Sequence, residues 1–219
     1  MAFNSEKTSR LSELLKEIQE RQTHSFAAAT YKDAPALKEI ISIVEEQLLT
    51  DTDKSTLIDS IAVLKYTAER FDSLGRFSVS AKLYKRVLEL AVTLKQKYDT
   101  LTKGVNDIFY NALLARNFYI DDDCEDLTVI ASELMKSTDI EKMLSSRKNH
   151  RRSLKHDSVE MSEEYLSVID EVEERIEKNR TLWGHGSCLE VWSLKREYLA
   201  GYGIEWHSIA VLNPTVRFD

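Results

Sequence analysis

The chain has 219 residues, of which 42% are hydrophobic and 31% charged, and a formal charge of −7. These proportions exclude a disordered or membrane-embedded chain. The negative charge argues against general nucleic-acid binding, which depends on neutralising phosphates.

Helix breakers are scarce: two prolines and six glycines, four of the glycines (Gly184, Gly186, Gly201, Gly203) in one late segment. Long runs without them, periodic at 3.6 residues, predict an all-α fold. The first helix is expected from about Ser5 towards Arg21, with Leu11, Leu14, Leu15 and Ile18 as its apolar stripe, and the alanine-rich His24 to Tyr31 continues it. Pro35 suits the first turn of a second helix, where a missing N–H is harmless. That helix runs through Leu49 and buries Leu37, Ile40, Ile41, Val44 and Leu48. The polar stretch Thr50 to Asp53 then offers N-cap residues.

Ile61 to Leu94 reads as two amphipathic helices folded back on each other at Leu74-Gly75-Arg76. Ile61, Leu64, Ala68 and Phe71 form one stripe; Val79, Leu83, Tyr84, Val87, Leu88, Ala91 and Leu94 form the other. Gly75 stands where the chain reverses, a position that favours a left-handed backbone. The hairpin resembles one tetratricopeptide repeat, a helix–turn–helix unit of about 34 residues. Ala68, Phe71, Gly75, Phe77, Ser80 and Tyr84 fall on the small, aromatic and turn positions of that pattern, and Val87 takes the usual alanine. Leu64 replaces the expected tryptophan, and no proline follows the second helix.

Further on, Val105 to Tyr119 carries Ile108, Phe109, Leu113 and Phe118. The run Asp121 to Asp126 is acidic, but at positions six and twelve an EF-hand loop needs glycine and glutamate, where this chain has Asp126 and Ser132. The acids are therefore read as caps for a helix over Leu127 to Lys136. Arg147 to His156 is the one concentrated basic run, with five of the 30 basic residues, and reads as a solvated loop. Ser158 to Asn179 is a helix with an exposed acidic face (Glu160, Glu163, Glu164, Glu171, Glu173, Glu174) and an apolar stripe of Met161, Tyr165, Val168, Ile169, Val172 and Ile176. Ser187 to Tyr202 is another helix, ended by the glycines at 201 and 203. Gly203 to Asp219 reads as an extended tail, too apolar to remain in water; Trp206, Leu212, Val216 and Phe218 are its expected anchors.

The expected architecture is thus a single domain of antiparallel helical hairpins, stacked as a tetratricopeptide-like superhelix or bundle. A repeat-like body spans 1–182, and a Trp- and Gly-rich helix and tail over 183–219 pack on it. The N-terminus lacks a signal-peptide core, no apolar run approaches the roughly 20 residues of a membrane span, and Cys124 and Cys188 form no CxxC pair. A reducing, cytoplasmic setting follows.

No nucleotide, hydrolase or zinc-protease motif occurs. His185, Cys188 and His207 lack the paired spacing of a zinc site, so no cofactor or metal is expected. The resemblance implies a non-enzymatic scaffold with a protein or peptide partner in a concave groove, for which Lys65, Tyr66, Glu69 and Asp72 are candidates. A rival is regulation by an anionic ligand or nucleic acid held by Arg147, Lys148, Arg151, Arg152 and Lys155. An enzyme using His185 or His207 is a third reading. The tail is expected to dock in its own chain or in a second copy, which would make a homo-oligomer.

Overall fold

The computed structural model describes residues 5–23, 31–117, 124–149, 154–184 and 186–218, and the described residues contain no strand. The fold is all-α, as its sparse breakers require. The expected continuation of the first helix over 24–30 lies outside the described residues. The helices are α1 (Ser5–Thr23), α2 (Ala34–Thr50), α3 (Lys54–Ser73), α4 (Phe77–Tyr98) and α5 (Val105–Asn117). They are followed by α6 (Glu125–Ser132), α7 (Ser137–Asn149), α8 (Glu163–Asn179), α9 (Ser187–Gly201) and the single turn α10 (Ile209–Leu212). No helix among the described residues is long and apolar enough to cross a membrane.

The chain divides into two compact units, Met1–Arg116 with Asp122–Arg151 and Asn117–Asp121 with Arg152–Asp219. In the first, α3 packs between α2 and α4, α1 packs on α2, and α6 lies against α4 and α7. Several of these boundaries have a local cause. Pro35 sits in the first turn of α2, and Asp53 caps α3 by accepting the Thr56 amide at 2.6 Å. The reversal between α3 and α4 is a Schellman motif: Arg76 N–H donates to Phe71 O at 2.8 Å and Gly75 N–H to Asp72 O at 2.9 Å. Gly75 has φ +71°, the left-handed value the motif needs.

Phe71, Tyr84 and Phe109 are fully buried in this unit's core, and each large apolar side chain contributes about 1.5–3 kcal/mol on burial. Several of the polar groups inside are paired. Tyr84 O–H donates to Asp72 at 2.8 Å, and Ser80 O–H donates to the other Asp72 oxygen. Burial pushes the Asp72 carboxyl up despite these two bonds, and the Tyr84 hydroxyl well up. Asp33, 1% exposed, accepts from Arg21 at 3.2 Å and Arg70 at 3.1 Å, so one carboxylate joins α1 and α3 at the start of α2. Asp126, in the first turn of α6, is paired with Lys85 at 2.7 Å and with Arg116.

Two boundaries differ from the sequence expectation. The helix expected over Leu127 to Lys136 stops at Ser132, and after a turn α7 runs from Ser137 to Asn149, into the first residues of what reads as a basic loop. Only Ile140, Met143 and Leu144 supply the apolar side of α7, too thin a stripe to stand out among its polar neighbours. The helix expected from Ser158 instead opens as a 3₁₀ turn, Ser158–Met161, before Ser162 caps α8 by accepting the Tyr165 amide at 3.1 Å.

The second unit has its own core of Tyr165, Ile169, Val172 and Ile176 from α8, Tyr198 and Leu199 from α9, and Ile204 and Trp206 beyond. By sequence, α8 groups with the body; its apolar stripe belongs to this core.

Candidate functional site

The second unit is shaped by how α9 ends. Ile204 N–H donates to Leu199 O at 3.0 Å and Gly203 N–H to Ala200 O at 2.9 Å. This is a second Schellman motif, with Gly203 at φ +75° in the left-handed position. The motif sends the chain back along the helix and brings Ile204 onto Leu199, both buried.

Three polar clamps then hold the returning chain against residues 155–160. Trp206 donates its indole N–H to Glu160 at 2.8 Å. Asp157 accepts both the His207 backbone N–H at 2.7 Å and a contact from the His207 ring at 3.0 Å, while its other oxygen caps the 3₁₀ turn through Val159 N–H. Asn213 accepts Lys155 N–H at 2.9 Å and donates to Lys155 O at 2.9 Å, a side-chain imitation of a strand pairing. The tail is therefore not simply extended: Ser208 caps the turn of α10, and Asn213 closes it by donating to Ile209 O at 2.7 Å.

Glu160 corrects the sequence reading, which places it on the exposed face of the acidic helix. It is 6% exposed and points inward, because it precedes α8 in the 3₁₀ turn and does not share that helix's periodicity. Burial pushes its carboxyl up. Hydrogen bonds from His156 and Trp206 and the charge of Lys195 outweigh this and hold it at about 2. The Lys195 ammonium lies 3.6 Å from Glu160, 4.6 Å from the Trp206 ring centre and 5.3 Å from that of Tyr165.

Between α9 and the returning chain lies an open cleft of about 280 Å³. Leu189, Trp192 and Arg196 line it from α9, and Trp206, His207 and Val211 from the tail. Residues 189, 192 and 196 share one helical face by their spacing of three and four. Leu189 is 59% and Val211 57% exposed, so both walls carry bare aliphatic surface. At the edge, the Phe218 ring meets Trp192 edge-on at 5.2 Å between centres.

Of the four expected tail anchors, Trp206 is buried, Leu212 and Phe218 are half-buried, and Val216 is exposed. Ile204 and the clamps at Asp157, Glu160 and Asn213 do the anchoring that sequence reasoning missed. The basic positions fall in three places: Arg147 and Lys148 in the last turn of α7, Arg151 and Arg152 outside the described residues, and Lys155 clamped by its backbone to Asn213. Of the groove candidates on α3, Lys65 pairs with Glu69 at 3.7 Å, Tyr66 is half-buried, and Asp72 is engaged inside the hairpin. His185 lies outside the described residues, Cys188 is a half-buried free thiol, and His207 is held by Asp157. Among the described residues, no group of three or more His, Cys, Asp or Glu is placed to hold a metal ion.

Comparison with protein-family models, curated proteins and solved structures found no match to this chain.

Proposed function

We propose that the protein is a non-enzymatic binding module for a peptide segment of a partner protein, and that the cleft between α9 and the C-terminal chain receives it. The observation that carries this reading is the exposure of Leu189 and Val211 on facing walls of a cleft that also holds two tryptophans. Exposed aliphatic groups gathered at one concavity, beside aromatic rings, are the usual make-up of a protein-recognition surface. The Schellman turn ties the returning chain to the end of α9 and the three clamps tie it to residues 155–160, so little ordering opposes binding. The resemblance of α3 and α4 to a tetratricopeptide unit supports the same class of function, since stacked helix pairs present concave binding surfaces.

A peptide-display selection on the full chain tests the reading. Peptides enriched on the wild type are expected to lose binding to Leu189→Asp and to Val211→Asp, variants whose exposed positions leave the circular dichroism spectrum unchanged. Peptides that bind both variants as well as the wild type would place the site elsewhere.

A further inference from the structure

The charge around the cleft specifies its ligand further. Acidic residues outnumber basic ones between 152 and 219, yet no carboxylate lines the cleft. Arg196 stands exposed on the α9 wall and makes no hydrogen bond or ion pair with a described residue. His207, the other basic group there, is already balanced: its ring lies 3.0 Å from Asp157 on one nitrogen and 3.8 Å from Glu205 on the other. One guanidinium is therefore left to meet an anion, beside an aliphatic and aromatic surface.

Leu189 and Arg196 are two turns apart on α9, about 10 Å along its axis at 1.5 Å per residue. An extended chain covers that distance in about three residues. The cleft is open, with both aliphatic walls more than half exposed, whereas a small-molecule site encloses most of its ligand. A segment laid across the surface suits this shape better than a small amphiphile.

Resting on the peptide-binding reading above, we propose that the partner segment is acidic and extended. It seats a large aliphatic or aromatic side chain between Leu189 and Val211 and places an Asp or Glu carboxylate, two to four residues away, on Arg196. The guanidinium fork receives a carboxylate through two parallel N–H donors, which fixes the register of the bound segment.

The test is a random peptide-display selection on the full chain, with Arg196→Glu and Leu189→Asp as parallel baits and circular dichroism to confirm that both keep the fold. Enriched sequences are expected to carry Asp or Glu two to four positions from Leu, Ile or Phe. A synthetic peptide from that set is expected to bind Arg196→Glu at least about tenfold more weakly than wild type, the scale of a lost charge-assisted pair. Its twin with Lys for the acid is expected to prefer the Arg196→Glu chain. Enriched peptides that lack an acid, or that ignore Arg196→Glu while losing Leu189→Asp, overturn this inference and leave the peptide-binding reading standing. No enrichment, or binding indifferent to Leu189→Asp, overturns both. Sedimentation of the wild type as a dimer that Arg196→Glu dissociates would assign the cleft to a second copy and overturn the partner proposed here.

Discussion

Trp206 donates its indole N–H to the buried Glu160 across 2.8 Å, and the Lys195 ammonium lies over the same indole ring, 4.6 Å from its centre. One aromatic side chain from the tail thus touches both members of an internal ion pair, and the tail is a structural part of the second unit.

The pH dependence of stability follows from this pair. Glu160 is held at about 2 in the fold, against an ordinary value of 4.5. A depressed folded value means that its stabilisation is fully present above pH 4.5 and is lost as pH falls towards 2. The loss should be about 3 kcal/mol on the scale of 1.36 kcal/mol per pH unit. Urea unfolding at a series of pH values should show the decline. Glu160→Gln should be less stable at neutral pH and lose less on acidification; an equal decline in both chains would detach the effect from Glu160.

Asn213 replaces a strand partner for Lys155, so its loss should free one backbone donor and one backbone acceptor. Asn213→Ala should cost about 1–2 kcal/mol at this partly exposed site. The Lys155 amide should exchange with solvent markedly faster, which hydrogen exchange read by NMR resolves directly.

Gly75 tests the first unit independently. At φ +71° nothing lies within 4 Å of the place a Cβ would occupy, so the penalty for a side chain is backbone strain alone. Gly75→Val should cost about 1 kcal/mol or more, because a β-branched residue is poorly tolerated there. Denaturant unfolding measures it, and unchanged stability would contradict the left-handed turn.

Removing residues 204–219 should take away two core side chains, Ile204 and Trp206, together with the three clamps on residues 155–160. At about 1.5–3 kcal/mol per large side chain, the loss is a large share of ordinary domain stability. The truncated chain should melt at a markedly lower temperature or aggregate. A truncated chain with the wild-type melting temperature would show the tail to be dispensable.

What the sequence made legible was whatever repeats locally. The α3–α4 hairpin could be read because both stripes keep helical spacing and Gly75 marks the reversal; Asp53 and Pro35 likewise act on their nearest neighbours. Leu189, Trp192 and Trp206 are plainly apolar in the sequence, but no spacing links the α9 residues to the tail or says that they face one another. The clamps were illegible for a related reason. Glu160 looks like one more surface acid, and Asn213 like a turn residue before Pro214, until the Schellman turn at Gly203 brings the tail back beside residues 155–160. Two glycines flanking a helix end, followed by Trp and then Asn-Pro, were the available hint that the chain returns along the helix.

The three tryptophans report directly on peptide binding in the cleft. Trp192 and Trp206 line the cleft, while Trp183 is exposed outside it. Titrating the full chain with a display-selected acidic peptide, and following the three indole N–H signals by NMR, separates these positions. A peptide seated in the cleft should give progressive, saturable shifts of Trp192 and Trp206 with Trp183 unmoved. Binding that shifts Trp183 alone, or none of the three, would contradict a site in the cleft.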